Sequence, residues 1–428
     1  MILFTSAGLL ALLALSIPVG IVLFLLSVGI DTFFSPFPLM RGLGQIVWSS
    51  SNSSTLIAIP FFVLLGEILV RSGVAQRTYK ALESWLSWLP GGLIHANIAT
   101  ATLFSATSGS SVATSATVAS VAMPQAEKLG YNPKLFSGAI AAGGTLGIMI
   151  PPSINLIVYG FLTQTSIPKL FLAGLIPGLF LAALFMLITA ILCMLKPSLG
   201  GPGIKSNWNK RLAGLIDLIP LLALFGTIVG SIYLGWATPT EAAAIGVAMA
   251  FVLAAIQNHK ALTRNMLMES LKSTVRTTSM IMLVVIGAYI LNFVLTASGV
   301  SRLLQDFLQN LGISALATLL VIVLIYIVLG FFIETLSLMV ATIPIIVPII
   351  MQLGYDKIWF GILMIILVEM ALITPPVGLN LYVVQGARKS GRFSDVMIGV
   401  IPYAIVMLFM VALLIMFPSI ALYLPSNF

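Results

Sequence analysis

The sequence predicts an all-α polytopic membrane protein built from two inverted repeats. Three observations carry this: the composition, the long charge-poor stretches and a shifted internal match. Of the 428 residues, 60% are hydrophobic and 7% charged. A water-soluble chain carries about 25% charged residues, because its surface must be solvated. This surface must therefore face lipid. One cysteine, Cys193, excludes a disulfide framework, and two histidines, His95 and His259, leave no metal cluster to build. No Gly is followed by Lys, so the phosphate-binding loop of ATP-driven pumps is absent. The net charge of +8 reads as basic cytoplasmic loops, with no nucleic-acid partner implied.

A spanning helix needs about 20 apolar residues. Apolar stretches with few or no charges at 7–30, 53–71, 135–165, 170–195, 212–235, 240–258, 277–297, 358–388 and 394–424 are read as spans. The first lacks a basic n-region and is too long for a signal peptide, so it is expected to remain as a helix. Two other apolar regions, 92–123 and 313–350, are too long for one helix and carry small or polar residues mid-way. Both are expected as hairpins that enter and leave on one side. With a cytoplasmic N-terminus, only Arg41, Lys169, Arg302 and Lys357 of the 20 Lys and Arg fall outside. That bias supports both the orientation and the hairpins.

Met123–Tyr131 recurs as Val347–Tyr355, shifted by 224 residues. Pro124, Leu129, Gly130, Tyr131 and Phe136 meet Pro348, Leu353, Gly354, Tyr355 and Phe360, and Pro151-Pro152 meets Pro375-Pro376. The two copies lie an odd number of crossings apart, so they should be inverted. Residues 1–198 form the first repeat, with hairpin 92–123 and broken helix 135–165. Residues 199–235 form a cytoplasmic linker and an extra helix. Residues 236–428 form the second repeat, with hairpin 313–350 and broken helix 358–388. Inverted repeats with broken helices are the architecture of secondary transporters, although channels also use repeats.

Eleven hydroxyl residues lie between Thr100 and Ser120. Hydroxyls and free carbonyls suit a monovalent cation, and the amides of a helix start suit an anion. A tip spanning Ser105, Thr107, Ser108, Gly109, Ser110 and Ser111 supplies all of these. Close helix packing through small residues explains the Ala and Ser content of 112–122 well, and the Thr107–Ser111 cluster less well. The double prolines free carbonyls near Gly147 to Ile150 and near Ala371 to Thr374. Helices restarting at Ser153 and Val377 aim their amino ends at the same gaps, each followed by an Asn, Asn155 or Asn380. A carboxylate could rest there. Among the acids, Glu67 should pair with Arg71 and Glu241 should cap its own helix. Glu334 is the stronger site candidate, and Glu369 is open to either reading. Two amphipathic stretches, Val74–Trp88 and Val300–Leu311, should lie in opposite interfaces, as arms to a moving body or as plain anchors.

These residues resemble the large membrane subunit of tripartite ATP-independent periplasmic (TRAP) transporters. The resemblance rests on Ala237-Thr-Pro-Thr-Glu-Ala-Ala-Ala244, Gly144 to Pro152, Leu129-Gly-Tyr131 and Ile373-Thr-Pro-Pro-Val-Gly-Leu-Asn380. It extends over nearly the whole chain and leans towards the sialic-acid branch. It implies the fold of divalent anion sodium symporters and an elevator movement in the bacterial inner membrane. Sodium (Na+) is the implied coupling ion. The implied partners are a periplasmic binding protein and a separate small four-helix membrane subunit. One implied sodium site comprises Ser105, Ser108, Gly109, Gly144, Gly147, Ile150 and Pro151. The other comprises Gly330, Glu334, Thr335, Ala371, Thr374 and Pro375. Substrate, an organic acid, would contact Thr107, Ser110, Ser111, Ser153, Asn155, Gly378 and Asn380. A stand-alone symporter and a channel are the competing readings. An enzyme is weakest, since no nucleophile with a nearby base appears in the spans.

Overall fold

The computed structural model describes residues 2–15, 17–36, 38–201, 207–257, 263–299, 314–375, 378–388 and 391–428. These contain nineteen α-helices and no strand. In chain order they are α1 Ile2–Ala14, α2 Val19–Phe34, α3 Leu43–Ser51, α4 Ala58–Ser72, α5 Val74–Leu86, α6 Leu93–Ser108 and α7 Ser111–Leu129. Next come α8 Pro133–Met149, α9 Ile154–Thr163, α10 Ile167–Leu195, α11 Trp208–Tyr233, α12 Pro239–Gln257 and α13 Arg264–Ala297. The last are α14 Ala315–Gly330, α15 Thr335–Gln352, α16 Lys357–Ile373, α17 Leu379–Ala387, α18 Phe393–Met416 and α19 Ser419–Ser426. Six are singly long and apolar enough to cross a bilayer, or eight spans if each bent pair counts as one.

Helix pairs stand at both expected hairpins, α6–α7 and α14–α15, and at both expected broken helices, α8–α9 and α16–α17. The expected span 7–30 is corrected: it divides into α1 and α2, with Pro18 at the start of the second. Proline lacks the amide that a helix interior requires, so the apolar run changes direction there. The short helix α3 also lies outside every expected element.

The shifted match has a local physical basis. Gly130 and Gly354 both adopt left-handed φ, +69° and +82°, and close the helices α7 and α15. In each copy the following Tyr amide donates to a carbonyl five residues back, Tyr131 to Ala126 and Tyr355 to Ile350, both at 3.1 Å. The next residue but one starts a helix. Asn132 caps α8 and Asp356 caps α16 through side-chain oxygens that accept the first free amides. The stop-and-restart grammar is thus the same in both copies.

Helix α5, the first amphipathic arm, leaves α4 at 68°. It buries Val74, Thr78, Tyr79 and Leu82. Trp85 Nε1 donates to the Arg211 carbonyl at 2.8 Å, and Tyr79 donates to Asn97 Oδ1 at 3.0 Å. The arm is therefore fastened both to the extra helix α11 and to the first hairpin. The second arm, Val300–Leu311, lies outside the described residues, as do Pro376 and Val377. Glu67 pairs with Arg71 at 3.1 Å and accepts from Ser273 at 2.6 Å, which ties α4 to α13. Glu241 accepts from the Thr238 amide and hydroxyl, the helix-start role its sequence predicts.

Candidate functional site

The first tip is a helix stop followed by a helix start. Gly109 ends α6 at φ +57°, and a side chain there would press on Ile154. Ser110 then caps α7, its hydroxyl accepting from the Ala113 amide at 3.4 Å. The Ser108 and Thr114 hydroxyls share a hydrogen bond of 2.6 Å across the turn. Ser105 donates to the Thr102 carbonyl at 2.6 Å, so it serves its own helix. Thr107 falls within α6, but its side chain lies outside the described residues.

Two glycines seat this tip against the broken helix. A Cβ on Gly147 would stand 2.9 Å from the Ser110 carbonyl oxygen. One on Gly144 would overlap the Ser115 hydroxyl and stand 3.0 Å from the Ser111 carbonyl oxygen. Only hydrogen permits so close an approach. Just beyond, Pro151 and Pro152 offer no amide to the carbonyls of Gly147 and Ile148. Ile150 ends α8, and Ser153 caps α9 by accepting from the Leu156 amide at 3.4 Å. Carbonyls and hydroxyls from two elements thus converge beside Gly144 and Gly147, an oxygen-rich setting that fits a small hard cation. The Ser115 hydroxyl, the Asn155 side-chain Nδ2 and the Asn380 side-chain Oδ1 are buried and have no hydrogen-bond partner among the described residues. Such groups are costly unless a ligand or water satisfies them.

The second tip repeats the arrangement with different residues. Gly330 abuts Ala371 so closely that a methyl on it would overlap the Ala371 side chain. Glu334 caps α15, accepting from Leu336 N at 3.2 Å, Ser337 N at 3.0 Å and the Thr335 hydroxyl at 3.2 Å. Thr374 donates back to the Met370 carbonyl at 2.6 Å, next to Pro375. Gly378 precedes α17 at φ +50°. Asn380 Nδ2 donates to the Ala141 carbonyl at 3.3 Å, joining α17 to α8.

One cleft of about 110 Å³ gathers the tips. Gly109, Ser110, Ser111, Asn155, Glu334 and Thr335 of the sequence candidates line it, and Ser105, Ser108, Gly144, Gly147, Ile150, Pro151, Ser153, Gly330, Ala371, Thr374, Pro375, Gly378 and Asn380 do not. Three helices begin on its wall: α7, α9 and α15. Their first-turn amides have no acceptor within their own helix and present partial positive charge. Among the described residues no Lys, Arg or His lines it, and Glu334 is its single charged residue. The opposite wall comes from α13 through Thr277, Met280 and Ile281, which sequence reasoning missed. It also missed the hydrogen bond from Ser111 to Glu369. Neither has a local signal, since both depend on contacts between distant segments. A larger space of about 680 Å³ lies between the loop 53–55 with the start of α12 and the α9–α10 junction.

Hairpin tips meeting proline-broken helices around one shared cleft, within an apolar fold whose described residues are helical, define a secondary-transporter permease. The chain belongs to the family described as tripartite ATP-independent periplasmic transporter, DctM component, whose model matches residues 6–420. It is 35% identical over 396 residues to the C4-dicarboxylate TRAP transporter large permease protein of Pseudomonas aeruginosa, covering 92% of this chain and 91% of that one. It is 31% identical to the sialic acid TRAP transporter large permease protein of Vibrio cholerae, covering 98% and 97%. Among solved structures it resembles the YdaH transporter of Alcanivorax borkumensis, with a TM-score of 0.58, 14% identity and coverage of 96% and 97%. That likeness concerns the fold.

Proposed function

We propose that this permease is the carrier subunit of a sodium-coupled importer of an organic acid in the bacterial inner membrane. Its N-terminus faces the cytoplasm, and it works with a small four-helix membrane subunit and a periplasmic binding protein. The carrying observation is the charge balance of the cleft. An anion would enter a space already holding Glu334, with no basic side chain among the described residues to receive it. Helix starts offset part of that charge, each worth about 0.3–1 kcal/mol, up to ~2 when partly buried. Bound cations must offset the rest. Sodium at the first tip, beside Gly144 to Pro151, and at the second, from Gly330 to Thr335 with Ala371 to Pro375, would supply it. Coupling then follows from electrostatics, since the anion is stable only beside its cations.

The two-sided construction of the cleft supports an elevator movement. The tips and the broken helices form one wall, and α13 forms the other. If the two repeats are inverted as their sequence suggests, the tip-bearing wall can slide along α13. Thr277 lies near the middle of α13, where the span expected from sequence, 277–297, begins. The volume favours a compact substrate: about 110 Å³ is below the roughly 300–1,000 Å³ usual for small-molecule sites. A C4-dicarboxylate fits this better than a nine-carbon sugar acid.

Uptake of labelled succinate and N-acetylneuraminate into vesicles tests the reading, with sodium or choline outside and with the binding protein added or withheld. Accumulation of succinate only with sodium and binding protein is expected. Accumulation indifferent to sodium would reject sodium coupling, and full activity without the binding protein would favour a stand-alone symporter.

A further inference from the structure

Glu369 lies on α16 with 1% of its surface exposed. Among the described residues no Lys, Arg or His forms an ion pair with it. Its hydrogen-bond partner is the Ser111 hydroxyl, 2.7 Å from each carboxylate oxygen. Ser111 is the first residue of α7, so the positive end of that helix also faces the carboxylate. Two residues further along α16, Ala371 packs against Gly330 at the foot of the second tip. One short stretch of α16 therefore touches both tips. The repeat counterpart of Glu369, by the shift of 224, is Thr145, and its hydroxyl turns back to the Ala142 carbonyl at 2.6 Å. The crossing bond is made on one side of the pseudo-symmetry only.

We infer that Glu369 is a positioning residue that couples the two tips, so that a cation at one raises the affinity for a cation at the other. A cation drawn in among the carbonyls of Ser110, Ser111 and Gly147 would hold the first tip against α8. Ser111 would then be fixed, and its hydroxyl would fix Glu369. With Glu369 fixed, the end of α16 and its Gly330 contact are set before the second cation arrives. Two sites that bias one shared arrangement are coupled, and the coupling is reciprocal. The alternative, an inert strut, leaves the sites independent. This inference rests on the sodium reading above.

The test uses sodium chloride alone as ligand, against choline chloride, on the purified full chain with any membrane subunit that accompanies it. Thermal stability is followed as sodium rises. The wild type should give a sigmoidal curve with a Hill coefficient above one. Glu369→Gln and Ser111→Ala should give hyperbolic curves with half-saturation raised roughly fivefold or more, the lower end of typical coupling factors. Ser111→Thr, which keeps the hydroxyl, should stay sigmoidal, and the double variant should be no worse than either single one. If Glu369→Gln does not fold, the Ser111→Ala and Ser111→Thr pair decides. A sigmoidal wild type with variants unchanged, additive effects in the double variant, or a hyperbolic wild type would each overturn the coupling alone. A wild type that sodium does not stabilise would overturn the sodium reading with it.

Discussion

Gly138 of α8 and Gly399 of α18 meet backbone to backbone. A methyl group on Gly138 would overlap the Gly399 carbonyl, and one on Gly399 would overlap the Lys134 carbonyl. The closest approach of these helices thus depends on two absent side chains. Gly399→Ala should lower stability by roughly 1–3 kcal/mol, the usual cost of overpacking. Gly386→Ala, where an added methyl meets nothing within 4 Å, should leave it unchanged or slightly raised. Thermal unfolding of the two in detergent, side by side, checks this; equal losses would show that the contact is not limiting.

Gly147 faces the Ser110 carbonyl so closely that an added methyl would lie 2.9 Å from its oxygen. Gly147→Ala should push the first tip off α8 and raise the sodium concentration for half-maximal uptake about tenfold, or about 1.4 kcal/mol. Uptake kinetics against sodium give the answer. An unaltered sodium curve would move the cation away from this tip.

Asn380 ties α17 to the Ala141 carbonyl, 239 residues away in sequence. Asn380→Ala should cost about 0.5–1.5 kcal/mol, because that buried bond is lost. Uptake should fall more than the amount of protein in the membrane, since the joint holds the restart of the second broken helix. Transport per molecule equal to wild type would assign Asn380 to packing alone.

Tyr289 of α13 donates to the Phe161 carbonyl at 3.1 Å and accepts from Gln164 Nε2 at 3.2 Å. Both partners sit at the end of α9, on the wall proposed to move. Tyr289→Phe should cost stability only about 1 kcal/mol. It should also speed counterflow at saturating substrate, because this contact must part in each cycle. Slower or unchanged exchange would mean that the contact stays closed.

What could be read from the chain alone follows its local physics. Both hairpins and both broken helices stood out, because charge-poor length, Gly turns and paired prolines are properties of neighbouring residues. The caps Asn132 and Asp356, and the left-handed Gly130 and Gly354, explain why the repeat survives in sequence at all: each is a turn requirement. Pro18 was an equally local signal inside the first apolar run, and it divides that run in two. The crossing from Ser111 to Glu369 spans 258 positions, and Thr277 reaches the cleft from a helix of unremarkable pattern. A lipid-facing chain hides such contacts, because apolar residues occur on every face and periodicity no longer marks the inside.

The cleft without a basic side chain has one more consequence, for the empty stroke. An unloaded carrier, without its cations, would cross with the charge of Glu334 uncompensated. A cell interior held electrically negative repels that charge outward, with a gain of up to about 2.3 kcal/mol per 100 mV for a full crossing. Membrane voltage would then drive the reset as well as the import, and an electrogenic return current should be measurable when cargo is withheld.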